Sequence, residues 1–114
     1  MAGVTRLDPT ALGDQPDVQE GPARTRTAQQ ATSGDGLSAG VWSAEPFVEH
    51  IPSYPCDEVC VLLEGTLILR TPDGEAQTFR AGDAFSIAKG TECTWDQPEA
   101  IRKVYVIRES ADDD

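Results

Sequence analysis

Residues 58–65, EVCVLLEG, hold the longest apolar run of the chain, with five apolar residues between two carboxylates. A short apolar run that is rich in β-branched residues and closed by a glycine is typical of a buried strand rather than a helix. Residues 66–70 (TLILR) have the pattern of a second strand, so a hairpin is predicted with its turn at Glu64 and Gly65.

Short strands separated by glycine or proline turns are predicted on both sides of this hairpin. Turn signals stand at residues 71–74 (TPDG), 81–83 (AGD) and 89–90 (KG), and a clear strand is predicted over 101–107. About eight short strands follow residue 37, and no segment has the periodicity of a helix. This spacing predicts an all-β, single-domain fold, a sandwich or barrel of antiparallel strands.

The chain has 114 residues, which is enough for one domain with one core. Residues 37–108 carry the predicted strands. Residues 1–36 are polar, and we interpret them as an arm without a core of its own, either disordered or packed along the edge of a sheet or a partner subunit. Residues 109–114 are interpreted as a solvated acidic tail.

The charge of the chain argues against several classes of partner. The 20 acidic residues against 9 basic ones give a formal charge of −11, which disfavours binding of nucleic acid or anionic lipid by charge. No apolar stretch approaches the ~20 residues needed to span a bilayer. The first residues lack the apolar segment of a secretory signal, so a cytoplasmic location is expected.

The three cysteines, Cys56, Cys60 and Cys93, are an odd number without a CxxC pair. This pattern is not a disulfide framework and fits a reducing compartment, where each thiol is most simply a small buried apolar side chain. Cys56 and Cys60 share the parity of Tyr54 and Glu58, so these four side chains are predicted to lie on one face of an extended strand.

Two motifs in the strand-rich part resemble those of the cupin superfamily. Glu58, six residues and Gly65 resemble the end of the first cupin motif. Gly82, five residues and residues 88–90 (AKG), followed two residues later by Cys93, resemble the second. The resemblance covers residues 37–108 and implies a jelly-roll β-barrel that is commonly dimeric, with the pocket inside the barrel.

Within that superfamily, the chain resembles the subgroup of ureidoglycine aminohydrolase-like and ethanolamine-utilisation-like cupins. The residues that carry this likeness are Tyr54 and the segments 40–42 (GVW), 57–60 (DEVC), 93–95 (CTW) and 98–105 (PEAIRKVY).

The resemblance also identifies departures at the positions of metal ligands. Metal-binding cupins supply two His and one Glu from the first motif and a third His from the second. The matching positions here hold Pro52, Tyr54, Glu58 and Cys93. A catalytic divalent metal normally needs at least three protein ligands, so the ordinary cupin metal site is expected to be absent, and no cofactor is expected.

An atypical metal site is left open. A thiolate-carboxylate set would suit zinc best, or another divalent metal. The alternative is that the one histidine is an ordinary surface residue near a turn. The residues available for such a site are Glu58, Cys93, Cys56 and His50.

Inside the implied barrel, Tyr54, Glu58, Cys93 and Trp95 are predicted to face one cavity, with Trp42 as a further ligand-binding residue. An apolar wall with a few polar groups is typical of a small-molecule site. Burial would raise the pKa of Glu58 and prepare it as a general acid or base, with the Tyr54 hydroxyl as its partner. Cys93 is a candidate nucleophile only if a cation stabilises its thiolate. Metal-independent proton transfer, as in an isomerase, epimerase or hydratase, is the resulting enzyme hypothesis.

Other functions are compatible with the same residues. Glu58 could be a satisfied buried polar group, and Trp42 and Trp95 could be core or pocket wall. The chain could then be a non-enzymatic small-molecule-binding or accessory cupin, or a metal-dependent enzyme with an atypical Cys/Glu site. The aminohydrolase activity of the subgroup depends on a metal, so the replaced ligands put it in doubt.

The last predicted strand begins with two cations, and the predicted sheets have exposed edges. Arg102 and Lys103 begin the last strand with opposite parity, so one of them is expected to face inward. An inward cation could pair with Glu58 or Glu64, or bind an anionic ligand. The exposed edges of a small jelly roll can be covered by dimerisation or by an arm, so we expect a homodimer. One alternative for residues 1–36 is that they lie across its interface.

Overall fold

The computed structural model of the chain describes residues 4–10, 19–21, 25–32 and 36–109. In these ranges the secondary structure consists of strands, and no helix is long and apolar enough to cross a membrane. The strands are β1 (Gln19–Gly21), β2 (Thr25–Thr32), β3 (Leu37–Ala44), β4 (Phe47–Ile51), β5 (Asp57–Glu64), β6 (Thr66–Arg70), β7 (Ala76–Arg80), β8 (Ala84–Ile87), β9 (Cys93–Gln97) and β10 (Ile101–Arg108).

The strands form two antiparallel sheets. The larger sheet has the order β1-β2-β3-β10-β5-β8, and the smaller sheet has the order β4-β9-β6-β7. Strand β10 lies in the middle of the larger sheet, where it pairs with β3 on one side and β5 on the other. The prediction of an all-β fold of antiparallel strands is confirmed, and the arrangement of the two sheets is compatible with a jelly roll.

The alternation of buried and exposed residues is clearest along β5 and the segment before it. Even-numbered residues from 54 to 62 are buried, and odd-numbered residues from 55 to 61 are exposed. Successive side chains of an extended chain point to opposite sides, so this parity defines an inward face. The predicted shared face of Tyr54, Cys56, Glu58 and Cys60 is therefore present, and Leu62 continues it at 0% exposure.

Gly65 is the tight connection between β5 and β6, at a φ of +88°. This left-handed conformation is unfavourable for a residue with a Cβ atom. A Cβ at this position would also lie 2.2 Å from the carbonyl oxygen of Ala100. Both the backbone conformation and the close approach of a neighbouring segment therefore require glycine here.

Two strands lie in the polar segment before residue 37, where the sequence predicted none. β2 pairs with β3, and β1 pairs with β2, so the edge of β3 is covered by the chain itself. Ala28 of β2 is buried beside Val41 and Val104. Asp8 and Gln30 exchange two hydrogen bonds, which hold the segment before β1 against β2. The remaining residues of the predicted arm and tail, 1–3, 11–18, 22–24, 33–35 and 110–114, lie outside the described residues.

Candidate functional site

A buried ion pair joins two neighbouring strands of the larger sheet, β10 and β5. The ammonium nitrogen Nζ of Lys103 on β10 lies 2.9 Å from the carboxylate oxygen Oε2 of Glu58 on β5. The two side chains are 5% and 7% exposed. Lys103 is thus the inward-facing cation of the predicted pair, whereas Arg102 approaches Glu64 with 3.6 Å between Nε and Oε2.

The ammonium group of Lys103 also contacts two aromatic rings. Its Nζ lies 4.6 Å from the ring centroid of Trp42 and 4.6 Å from that of Trp95. The negative face of an indole ring attracts a cation, and the attraction is stronger away from water. An ammonium carries three N–H donors, and here one carboxylate and two ring faces surround it. The charge of Lys103 is therefore balanced inside the protein rather than offered to an anionic ligand.

Glu58 accepts hydrogen bonds from two neutral groups in addition to the ammonium. The Tyr54 hydroxyl donates to Oε1, and the Cys60 thiol donates to Oε2 at 3.2 Å. Tyr54 precedes the strand, and its backbone is held by the turn before β9. Its N–H donates to the carbonyl of Thr91 at 2.9 Å, and its carbonyl accepts from the N–H of Gly90 at 2.8 Å.

The proton positions in this group follow from its contacts. Burial acts to raise the pKa of Glu58, but the charge of Lys103 and the hydrogen bonds from Lys103, Tyr54 and Cys60 outweigh it, so the pKa lies below its ordinary value. The predicted rise in the pKa of Glu58 is therefore wrong, because the inward lysine more than offsets desolvation.

The neighbouring acids keep their protons. Burial, followed by the charge of Glu58, raises the pKa of Tyr54. Burial also raises the pKa of the Cys60 thiol to about 12, although the charge of Lys103 opposes this. At neutral pH Glu58 is therefore a carboxylate, Tyr54 a neutral phenol and Cys60 a neutral thiol.

A cavity of about 410 Å³ opens beside this group, and we call it the first cavity. Buried side chains form its floor, among them Tyr54, Glu58, Trp95 and Lys103. Its exposed lining residues, which form the rim, are Gln29, Glu49, Pro55 and Glu109.

Three aromatic rings form one wall of the first cavity. Phe47 stacks on Trp95 with a centroid distance of 6.4 Å and an interplanar angle of 10°, and Trp42 packs edge-on against both. The indole N–H of Trp95 donates to Oε1 of Gln97 at 3.0 Å, and the amide of Gln97 donates to the carbonyl of Ala44 at 3.0 Å. These bonds fix the orientation of the wall before any ligand binds.

Four of the predicted ligand-binding residues, Trp42, Tyr54, Glu58 and Trp95, line the first cavity, and Cys93 does not. Cys93 borders a second cavity of about 540 Å³ instead. The prediction of one shared cavity therefore fails for Cys93, because its side chain lies among residues of β6 and β8. Burial raises the pKa of the Cys93 thiol, and no cation contributes to this shift. A nucleophilic thiolate would need such a cation.

The residues of the atypical metal set are dispersed. His50 is 57% exposed and pairs with Glu92 at 2.9 Å, on the outside of the smaller sheet's edge strand. Cys56 lines the first cavity and Cys93 the second. Over residues 4–10, 19–21, 25–32 and 36–109, no three His, Cys, Asp or Glu side chains are grouped so that they could hold a metal ion.

The sequence identified Lys103 only as one of two candidate inward cations. The available signal was its parity, since Ile101, Lys103 and Tyr105 are alternate residues of β10 and are 2%, 4% and 6% exposed. A cation flanked at this spacing by an aliphatic and an aromatic residue indicates an inward lysine. Phe47 and Tyr105, which also line the first cavity, were not predicted from the sequence.

Comparisons with known proteins place the chain among small cupins. A family model described as an EutQ-like cupin domain matches residues 32–105. No curated protein matches the chain. The resemblance to this cupin subgroup that was inferred from the sequence is therefore confirmed.

Solved structures agree with this assignment. A protein assigned as ethanolamine utilization protein Q from Salmonella typhimurium LT2 is 26% identical with a TM-score of 0.65, and the match covers 78% of this chain and 72% of that one. A DUF861 family protein of unknown function from Pseudomonas syringae pv. tomato is 27% identical with a TM-score of 0.76, over 89% of this chain and 46% of that one. A DUF861 family protein from Thermotoga maritima is 32% identical with a TM-score of 0.53, over 57% and 73% of the two chains.

Proposed function

The chain belongs to the EutQ-like cupin domain family, and from this premise we propose that it is a small-molecule-binding cupin whose first cavity works without a metal ion. The observation that carries the proposal is the ammonium of Lys103, which lies 2.9 Å from Glu58 and between two indole rings. Glu58 stands at a position where metal-binding cupins have a metal ligand. In this protein the ammonium of Lys103 balances its charge instead.

The other positions that match metal ligands support the same conclusion. Pro52 has no side-chain donor, and it is exposed. The hydroxyl of Tyr54 is engaged by Glu58, and burial and the charge of Glu58 raise its pKa, so it does not supply a phenolate. A divalent ion bound at Glu58 would stand close to the ammonium of Lys103, and like charges repel strongly in a weakly polar interior. The residues present therefore do not fit a metal ion.

The shape and lining of the first cavity support a small organic ligand. Pockets for small molecules are concave, mostly apolar and equipped with a few fixed polar groups. The first cavity has a volume of about 410 Å³, a wall of three aromatic rings and a floor that carries Glu58 and Lys103. Because these polar groups are held by one another, the floor is preorganised.

Metal analysis of the purified protein without a histidine tag tests the first part of the proposal. After incubation with Mn²⁺, Zn²⁺, Fe²⁺ or Ni²⁺ and desalting, we expect far less than one metal ion per chain by inductively coupled plasma mass spectrometry. One tightly held ion per chain, lost in a Glu58→Ala variant and kept in a Glu92→Ala variant, would contradict it.

Tryptophan fluorescence tests the second part. The chain has two tryptophans, Trp42 and Trp95, and both line the first cavity. We expect phenethyl alcohol, a neutral aromatic probe, to change their emission in a saturable way. Ile107→Phe, which narrows the cavity, should weaken this binding. Val59→Phe, a similar addition on the exposed side of β5, is the matched control and should not.

Proton transfer by Tyr54 and Glu58 is the second candidate function. It is supported by the hydrogen bond between their side chains at the floor of the first cavity. The lowered pKa of Glu58 makes this carboxylate a weak base, so binding without turnover is favoured. Turnover of any defined substrate that disappears in both Glu58→Gln and Tyr54→Phe would establish the enzyme instead.

A further inference from the structure

The charged groups that line the first cavity are predominantly acidic. Three carboxylates, Glu49, Glu58 and Glu109, and one ammonium, Lys103, belong to the lining. Glu58 lies 2.9 Å from the nitrogen of that ammonium, and the centroids of two indole rings lie 4.6 Å from it. Among the described lining residues, the exposed carboxylates are thus available to a ligand, whereas the charge of Lys103 is paired with Glu58.

The two carboxylates of the rim are Glu49, on β4, and Glu109, which follows β10. Glu49 lies opposite Trp95 in the register of β4 and β9. Residues directly opposite in an antiparallel pair share a face, so Glu49 stands beside the aromatic wall. Glu109 follows β10, and its backbone N–H donates to the carbonyl of Gly36 at 2.9 Å, which fixes this end of the chain. Both carboxylates are exposed and can meet a ligand as it enters.

The interior of the first cavity shows the effect of these charges at Cys56. Burial raises the pKa of this thiol, and the charges of Glu58, Glu109 and Asp57 raise it further, while Lys103 opposes them with the smallest effect. Burial and then the charge of Glu58 also raise the pKa of Tyr105, another lining residue. At both of these lining residues the charge of Glu58 therefore acts more strongly than that of Lys103.

The wall of the first cavity favours an apolar or aromatic ligand body. Trp42, Phe47 and Trp95 present ring surface, and Ile51 and Ile107 add aliphatic surface. A ligand that buries its body here and keeps a cation at the rim would satisfy both the apolar wall and the carboxylates.

We propose that the ligand of the first cavity is a small organic cation, an amine with an apolar or aromatic body whose ammonium group lies between Glu49 and Glu109. This inference rests on the proposed function, since it names the chemical class of the ligand that the cavity binds. An ammonium group supplies charged N–H donors, and the exposed carboxylates of Glu49 and Glu109 attract it and can accept its hydrogen bonds.

Three probes of similar shape and different charge test this inference. They are 2-phenylethylammonium, phenethyl alcohol and phenylacetate, titrated separately into the full-length protein at low salt and followed by tryptophan fluorescence. We expect the dissociation constant of the cation to be at least tenfold below that of phenylacetate, with the alcohol between them. In 0.5 M NaCl the ratio should shrink, because exposed charges are screened.

Two double variants locate the effect. Glu49→Gln with Glu109→Gln should weaken binding of 2-phenylethylammonium about fivefold to tenfold and leave phenethyl alcohol within about twofold. Glu75→Gln with Glu99→Gln removes the same charge from exposed positions that do not line the first cavity, and it should leave both probes unchanged.

The outcomes separate the inference from the function on which it rests. Equal affinity for the three probes, or tighter binding of phenylacetate, overturns the cationic class and leaves a small-molecule-binding cupin. Equal weakening by the two double variants overturns the role of Glu49 and Glu109. Failure of all three probes to bind contradicts the proposed function itself, and the inference with it.

Discussion

Lys103 and Glu58 meet through an ion pair of 2.9 Å although they are not opposite one another in the sheet. In the register of β10 and β5, Lys103 lies opposite Leu62, and Glu58 lies opposite Ile107. The two side chains therefore reach toward each other along the strands, on the inward face. The register shifts between Arg102 and Lys103, where Leu63 of β5 has no partner on β10.

Breaking this ion pair on one side should strongly destabilise the protein. Lys103→Met leaves a buried carboxylate without its cation, and we expect the free energy of unfolding to fall by about 3–5 kcal/mol. Glu58→Gln should also destabilise, and the double variant should lose less than the sum of the two single changes. Urea denaturation of the four proteins measures this coupling.

Arg102→Met is the matched control for this cycle. Arg102 is the neighbouring cation of β10, but its 3.6 Å contact with Glu64 is largely exposed on the glutamate side. Its loss should cost less than about 1 kcal/mol. Strictly additive effects of the Glu58 and Lys103 changes would show that the pair contributes no coupling energy.

The stability of the protein should fall in acid partly because of Glu58. The pKa of Glu58 is lower in the folded protein than in the unfolded chain, so its contribution is present above the unfolded pKa of about 4.3. This contribution is lost as the pH falls through the lower folded pKa. The melting temperature of the wild-type protein should therefore decrease more steeply below about pH 4 than that of Glu58→Gln. Parallel curves for the two proteins down to pH 2 would contradict the lowered pKa.

All three thiols should react slowly in the native protein. Cys56, Cys60 and Cys93 are buried, and burial raises the pKa of each, to about 12 for Cys60. Because the thiolate is the reactive form, their modification by 5,5′-dithiobis(2-nitrobenzoate) at pH 8 should be at least about tenfold slower than in guanidinium chloride. A single thiol that reacts at the unfolded rate would reveal an activated cysteine.

Two glycines with the same backbone conformation should respond differently to alanine. Gly65 and Gly74 have φ values of +88° and +90°. A Cβ at Gly65 would lie 2.2 Å from the carbonyl oxygen of Ala100, whereas a Cβ at Gly74 meets nothing within 4 Å. Gly74→Ala should cost about 1 kcal/mol from its conformation alone. Gly65→Ala should cost at least about 1 kcal/mol more, because the backbone must move. Equal losses in denaturant unfolding would contradict this account of the β5–β6 turn.

Much of the fold could be predicted because strand structure leaves a local record in the sequence. The shared parity of residues 54, 56, 58 and 60 places them on one face of a strand without knowledge of the partner strands. Which face is inward has no such record, because Val59 and Val61 are exposed while Glu58 is buried. The β2 strand was missed for a related reason. Its residues TRTAQQAT lie toward the edge of the sheet and contribute one well-buried side chain, Ala28, so they carry little apolar periodicity.

The sequence by itself determined the strand pattern, the shared face of residues 54, 56, 58 and 60, and the cupin motifs, whose resemblance implied a cavity at Tyr54, Glu58 and Trp95. Only the tertiary structure decided the chemistry of Glu58. Its cation lies 45 residues away in the chain, and the pairing of β5 with β10 brings it within reach. The separation of Cys93 into the second cavity was likewise decided by packing between the sheets. Local periodicity fixes the side of a strand on which a residue lies, but contacts across the core depend on sheet register and on the reach of long side chains, neither of which has a local signal.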